Sequence, residues 1–160
     1  MNTESLEEQI RRLTAIETIK KLKAQYCAYC DNQYDPDGLA SLFVENAIWD
    51  GGDEFGRHEG RKAIREFFSG VSGSILFAAH LVMNPIIEVS GERATGKWRL
   101  IMPCTIADSN GVAEAKWLLS HYDEEYSFSD NRWLFNKMIV SSQFYSNHLE
   151  GWAKDTSSNN

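Results

Sequence analysis

The run Trp98-Arg99-Leu100-Ile101-Met102-Pro103-Cys104-Thr105-Ile106 decides the fold class. Trp98, Leu100, Met102, Cys104 and Ile106 recur at every second position, the spacing at which a strand presents one face. The same period extends in both directions and predicts four long strands, over residues 75–90, 93–107, 112–128 and 132–145. Ser90-Gly91, Asp108-Ser109-Asn110-Gly111 and Asp130-Asn131 break the runs with good turn chemistry. On the third strand Ala115, Trp117, Leu119 and His121 share a face.

Upstream of Ile75 the period is helical. Ser5-Leu6-Glu7-Glu8 has the form of a capping box. After it, Leu6, Ile10, Leu13, Ile16, Ile19, Leu22 and Tyr26 follow at spacings of three and four, one apolar stripe on a long helix. Asp35-Pro36 caps and starts a second, short helix that carries Leu39, Leu42 and Phe43 inward. Ala47-Ile48-Trp49 and the segment around Phe55 read as two short strands about an Asp50-Gly51-Gly52-Asp53 turn. Gly60 to Phe68 reads as a third helix, with Ile64, Phe67 and Phe68 on one face. The connector Ser69 to Ser74 is rich in glycine but lacks the Gly-Lys-Ser/Thr ending of a phosphate loop. Helices followed by an antiparallel meander make an α+β domain. Residues 1–153 are expected to form it, with 154–160 a short, polar, disordered tail.

At 160 residues the chain suits one domain. Five Trp, six Tyr and eight Phe suit a thick core or the wall of an apolar pocket. A net charge of −7 and a pI near 5.1 argue against nucleic acid or an anionic membrane as partner, since both need a basic face. No apolar run approaches 18 residues, and Met1 to Ser5 lack the features of a signal peptide, so a cytoplasmic location is expected. Cys27, Cys30 and Cys104 agree with a reducing compartment. Cys27 and Cys30 form a C-x-x-C on a helical stretch with no second ligand pair, so they read as small packing residues. The four histidines show no metal-ligand spacing, and no metal or other cofactor is expected. His58 reads as part of a solvated charged turn, and His148 as structural or exposed.

The order of elements and several local motifs resemble the SnoaL-like branch of the nuclear transport factor 2-like superfamily, which holds scytalone dehydratase, bile-acid dehydratase and ketosteroid isomerase. The resemblance spans about residues 10 to 148. It rests on Ile19 to Asp31, ending in Tyr-x-x-x-x-Asp, on Leu42 to Trp49, and on Gly56-Arg57-His58-Glu59-Gly60-Arg61. It continues through His80-Leu81-Val82-Met83-Asn84-Pro85, Ala94-Thr95-Gly96-Lys97-Trp98 and Tyr122-Asp123-Glu124-Glu125-Tyr126. It implies a cone-shaped barrel in which three N-terminal helices pack on a strongly curved, about six-stranded, mainly antiparallel sheet. The pocket then opens between sheet and helices.

In the dehydratase-like members an Asp late in the first helix pairs with a His on the first long strand. Those positions match Asp31 and His80, and the family's pocket tyrosine matches Tyr26. The arginine that bile-acid dehydratases carry on the last strand is absent, the region here being Ser141-Ser142. The expected catalytic residues are therefore His80 as base, Asp31 as its orienting carboxylate and Tyr26 as a hydrogen-bond donor. Trp49, Trp117, His121 and Tyr122 are the expected substrate contacts. Read without the resemblance, His80 among Phe77, Ala78, Ala79, Leu81 and Val82 is more often a satisfied core histidine. Asp31 then simply ends a helix, and Tyr26 packs in the core.

The expected activity is a cofactor-independent lyase, dehydratase-like, acting on a hydrophobic polycyclic or aromatic-like molecule that carries a carbonyl. An isomerase or cyclase is the near alternative. A non-catalytic ligand-binding or dioxygenase small-subunit-like module is the alternative of a different class. Long strands bearing Trp98 and Trp117 are expected to leave an apolar sheet face for a homodimer or homotrimer.

Overall fold

The structure is a computed structural model, and it describes residues 5–153, so the expected tail at 154–160 lies outside the described residues. Helix α1 (Leu6–Asp31) begins at the expected capping box: the Ser5 hydroxyl accepts from the Glu8 amide, and Glu8 accepts from the Ser5 amide at 2.8 Å. Helix α2 (Pro36–Ser41) is capped by Asp35, whose carboxylate accepts from the amides of Asp37 and Gly38. Strand β1 (Phe43–Asp50) follows. The segment around Phe55, expected as strand, is instead a single helical turn, α3 (Gly52–Phe55). The pairing strand comes later, as β2 (Arg57–Glu59). Gly51 and Gly52 permit the tight turn that displaces it; Gly52 sits at φ 66°, where a side chain is strained. Helix α4 (Arg61–Val71) completes the helical layer.

The meander is β3 (Ile75–Ala78), β4 (Leu81–Ser90), β5 (Arg93–Ala107), β6 (Ala113–Ser129) and β7 (Arg132–Asn147). The expected strand 75–90 is therefore broken at Ala79-His80, and its two pieces both pair with β5. Among the described residues the sheet order is β2-β1-β7-β6-β5-β3, with β4 beside β5, so seven segments occupy six strand positions. All pairs are antiparallel except β1 with β7, which makes the sheet mixed. Asp130 and Asn131, both at positive φ, turn β6 into β7 as a two-residue hairpin should.

Register assigns the faces. Trp98 pairs with Tyr122, Leu100 with Ser120 and Met102 with Leu118, and these residues turn toward the helices. The residues expected to share a face of β5 do so, and that face is the inner one, so Trp98 is buried and not displayed for association as expected. The helix stripe is correct only in its second half. Ile19, Leu22 and Tyr26 are buried, whereas Leu6, Ile10 and Leu13 are more than half exposed.

One feature of the core is a buried charged network. Lys23, fully buried on α1, donates to Glu124 of β6 at 2.5 Å, and neither side chain has any exposed surface. The Tyr126 hydroxyl donates to the other Glu124 oxygen and accepts from Trp98 Nε1 at 3.0 Å. Gly96 makes this possible, since a Cβ there would meet the Tyr126 hydroxyl at 2.7 Å. Cys27 and Cys30 are buried thiols in the same helix packing, as expected.

Candidate active site

Asp31 is the last residue of α1, at the negative end of the helix dipole, where a carboxylate is unfavourable without donors. The break between β3 and β4 supplies them. Ala79 still donates to Pro103 of β5, but the His80 amide leaves the ladder and donates to both Asp31 oxygens, at 2.9 and 3.2 Å. The His80 ring returns to the same carboxylate, with Nδ1 2.7 Å from Oδ1. One carboxylate therefore holds both the backbone and the side chain of His80. Accepting from Nδ1–H, it fixes the tautomer and leaves the Nε2 lone pair free. The His80 side chain is 6% exposed and Asp31 37%, so the base is enclosed while its partner stays wetted at the rim.

His80 lines a cavity of about 50 Å³ between the sheet and the helices. Leu100, Met102, Leu118 and Val140 form its apolar floor, and Phe55, Phe67 and Val71 its rim. Tyr26, Trp49 and Tyr122 line it as well, so the structure gathers these three with His80, and Asp31 stands directly behind the imidazole. The Tyr26 hydroxyl accepts from Trp49 Nε1 at 3.0 Å and lies within reach of the Cys30 thiol. Burial pushes the Tyr26 phenol well above its ordinary pKa.

Two expected contacts are corrected. Trp117 and His121 occupy the odd positions of β6, and the even positions Leu118, Ser120 and Tyr122 face inward. Period two separates the faces of a strand but does not say which is concave. Trp117 donates to His148 Nδ1 at 2.9 Å on the outer surface, and His121 lies 3.9 Å from Asp123 there. His58 also differs from expectation. It is half-buried, stacked on Phe67 with centroids 4.2 Å apart, and bonded through Nε2 to the Phe55 carbonyl at 2.9 Å.

Tyr34 is the site residue that sequence reading missed. Gln33 and Tyr34 both adopt positive φ, 56° and 54°, an uncommon pair of left-handed non-glycine residues. The turn drives the Tyr34 ring into the cavity, stacked on Phe68 and edge-on to His80 at 5.9 Å between centroids. The available signal was one buried-type aromatic inside the polar run Asp31-Asn32-Gln33-Tyr34-Asp35-Pro36.

A larger cleft, about 1160 Å³, lies at the other end of α1, between Arg11, Arg12 and the β4–β5 and β6–β7 turns. It is open and charged, and it shares no lining residue with the small cavity. The small cavity is the better site because its polar groups converge within an apolar wall.

Residues 11–139 match the model of the SnoaL-like domain, and the chain belongs to that family. Comparison with curated protein sequences gives no match. Among solved structures, the chain is similar to a protein of Novosphingobium aromaticivorans provisionally named a scytalone dehydratase. That pair shares 20% identity at a TM-score of 0.76, over 85% of this chain and 89% of the other. The hexachlorocyclohexane dehydrochlorinase LinA-type3 of Novosphingobium barchaimii shares 19% identity at a TM-score of 0.74, over 84% and 90%. A nuclear transport factor 2-like protein with a cystatin-like fold from Novosphingobium aromaticivorans matches over 99% of both chains, at 19% identity and a TM-score of 0.67. At these identities the likeness establishes the fold. Among the described residues no helix is long and apolar enough to cross a membrane.

Proposed function

We propose that the protein is a cofactor-independent lyase that eliminates water, or a comparable leaving group, from a hydrophobic substrate carrying a carbonyl. The observation that supports it is the 2.7 Å contact between Asp31 and Nδ1 of His80, a histidine that lines the cavity. His80 Nε2 takes the proton α to the carbonyl, and Asp31 stabilises the imidazolium. The released electron pair forms the new C=C bond as the C–O bond to the β-hydroxyl breaks. The departing hydroxide is protonated by the imidazolium and leaves as water, which returns His80 to its neutral form. Phenols of the cavity wall, Tyr26 among them, hold the substrate oxygens, and Trp49 packs against the ring system. Two fold relatives carry elimination in their names, a dehydratase and a dehydrochlorinase, and both reactions remove a proton and a leaving group from neighbouring carbons.

At about 50 Å³ the cavity is far below the roughly 300 Å³ of an ordinary ligand site. A cyclic substrate enters by displacing the rim side chains Phe55, Phe67 and Val71, which belong to short α3 and to the end of α4. The test is conversion of cyclic β-hydroxyketones to enones, followed by the ultraviolet absorbance of conjugation. His80→Ala should lower turnover by about 100-fold or more, and Asp31→Asn should lower it too. The double variant should be little worse than the weaker single one, because the pair acts as a unit. Unchanged rates in His80→Ala would sink the reading in favour of a purely structural Asp31–His80 tie.

A further inference from the structure

We propose that the cleft at the N-terminal end of α1 is a second ligand site, suited to an organic monoanion with an aromatic body. Arg11, Arg12 and Arg132 hold the anionic group, and Trp133 and Phe128 hold the ring. The site does not depend on the lyase reading, since it shares no lining residue with the small cavity.

The first observation is charge where the core should continue. The buried face of α1 runs through Ala15, Ile19, Leu22, Tyr26 and Cys30 at spacings of three and four. Four and seven residues before Ala15, and seven before Ile19, that face carries Arg11, Glu8 and Arg12. All three line the cleft, whose volume is about 1160 Å³. Leu6 and Leu13, on the same stretch of helix, are exposed and take no part in the lining. Arginines, not an apolar seal, border the space.

The second observation is the opposite wall. Trp133, 6% exposed, packs against Phe128 with ring centroids 5.5 Å apart, and both line the cleft with Val89. Arg132 adjoins Trp133 at the start of β7 and, among the described residues, forms no ion pair with a carboxylate. Glu8 is already engaged, accepting from the Ser5 amide at 2.8 Å. Three arginines against Glu8 and Glu92 leave one net positive charge in the lining, in a chain of net charge −7.

That balance sets the ligand class. One net positive charge suits a monoanion, whereas a polyanion would meet both glutamates and the negative field of the whole chain. A guanidinium takes a carboxylate through two parallel N–H donors and also stacks on ring faces. Ligand sites typically occupy about 300–1,000 Å³, so the cleft has room for a ring system beside the charged group. The ligand that matches wall and charge together is an aryl carboxylate.

The probe is 2-naphthoate, titrated by calorimetry into the whole chain, with Kd expected below about 1 mM. Neutral 2-naphthamide, which keeps the ring, and acetate, which keeps the charge, should each bind at least about tenfold more weakly. Arg12→Gln/Arg132→Gln should weaken naphthoate binding about tenfold or more, and Arg11→Gln about threefold or more. Lys62→Gln removes one positive charge from α4, away from the cleft, and should stay within about twofold of wild type. All four positions are exposed, so the variants should fold. His80→Ala, in the other site, should bind naphthoate as the wild type does. No heat at millimolar naphthoate, equal binding of naphthamide or acetate, or wild-type affinity in the double arginine variant overturns the proposal. Binding lost in His80→Ala but kept in the arginine variants also overturns it, by putting the probe in the small cavity. If the double arginine variant lowers the particle mass in light scattering and naphthoate gives no heat, the cleft is an interface between copies and the proposal fails.

Discussion

Replacing Lys23 by Met should be among the most damaging single changes in the molecule. Its ammonium has no exposed surface and stands 2.5 Å from Glu124, whose other oxygen is already taken by Tyr126. Met fills the space of the lysine stem but leaves the Glu124 charge buried and short of its cation. Breaking a buried pair from one side typically costs about 3–5 kcal/mol, a large part of the roughly 5–15 kcal/mol that holds a domain folded. With a urea slope of about 2 kcal/mol/M, the unfolding midpoint should fall by about 1.5–2.5 M. Glu124→Gln alone should be comparably harmful, since it strands the ammonium. The double variant Lys23→Met/Glu124→Gln should recover most of the loss, because the amide oxygen still accepts from Tyr126 and no charge remains. The cycle should therefore show a coupling of about 2 kcal/mol or more. Single losses below about 1 kcal/mol, or strictly additive ones, would refute the view that these charges are desolvated and mutually dependent.

Stability should fall in alkali. Burial raises Cys27 from 9.0 to about 11, so both states hold the proton below pH 9, and between pH 9 and 11 only the unfolded chain releases it. That window removes about 2–3 kcal/mol, and Cys27→Ala should flatten the decline in thermal midpoint across it. Self-association is expected on the outer sheet face, where Leu81, Ile101, Leu119 and Phe144 align across four strands and Trp152 stacks on Phe144. Light scattering should give a mass of at least twice 18.2 kDa, and Ile101→Glu should reduce it to the monomer; a monomeric wild type defeats the expectation.

The sheet was legible because alternation in β5 and β6 is long and its turns carry recognisable chemistry. The pairing of Asp31 with His80 was reached through the family resemblance, since local pattern gave His80 only apolar neighbours. The break at Ala79-His80 was not legible: a carboxylate 49 residues earlier creates it, and nothing in the run from Ile75 to Ser90 announces it. Lys23 and Glu124 were missed for another reason. Charged residues are normally placed outside, but Lys23 falls four after Ile19 and three before Tyr26 on the buried face. Glu124 falls in phase with Tyr122 and Tyr126. Phase alone would have buried both, and pairing would have followed.

The double hold of Asp31 on His80 makes the two partners unequal as anchors. Removing the imidazole leaves the His80 amide still tied to the carboxylate, so the end of α1 stays stitched to the interrupted strand. Removing the carboxylate cuts both ties and frees an amide that has no place in the β-ladder. The His80 amide is thus a built-in gauge of this seam: in hydrogen exchange it should stay protected in His80→Ala and exchange quickly in Asp31→Ala, while amides in the middle of β5 and β6 remain slow in both. Side-chain chemistry and local mechanical continuity, carried by a single acid, can in this way be read apart.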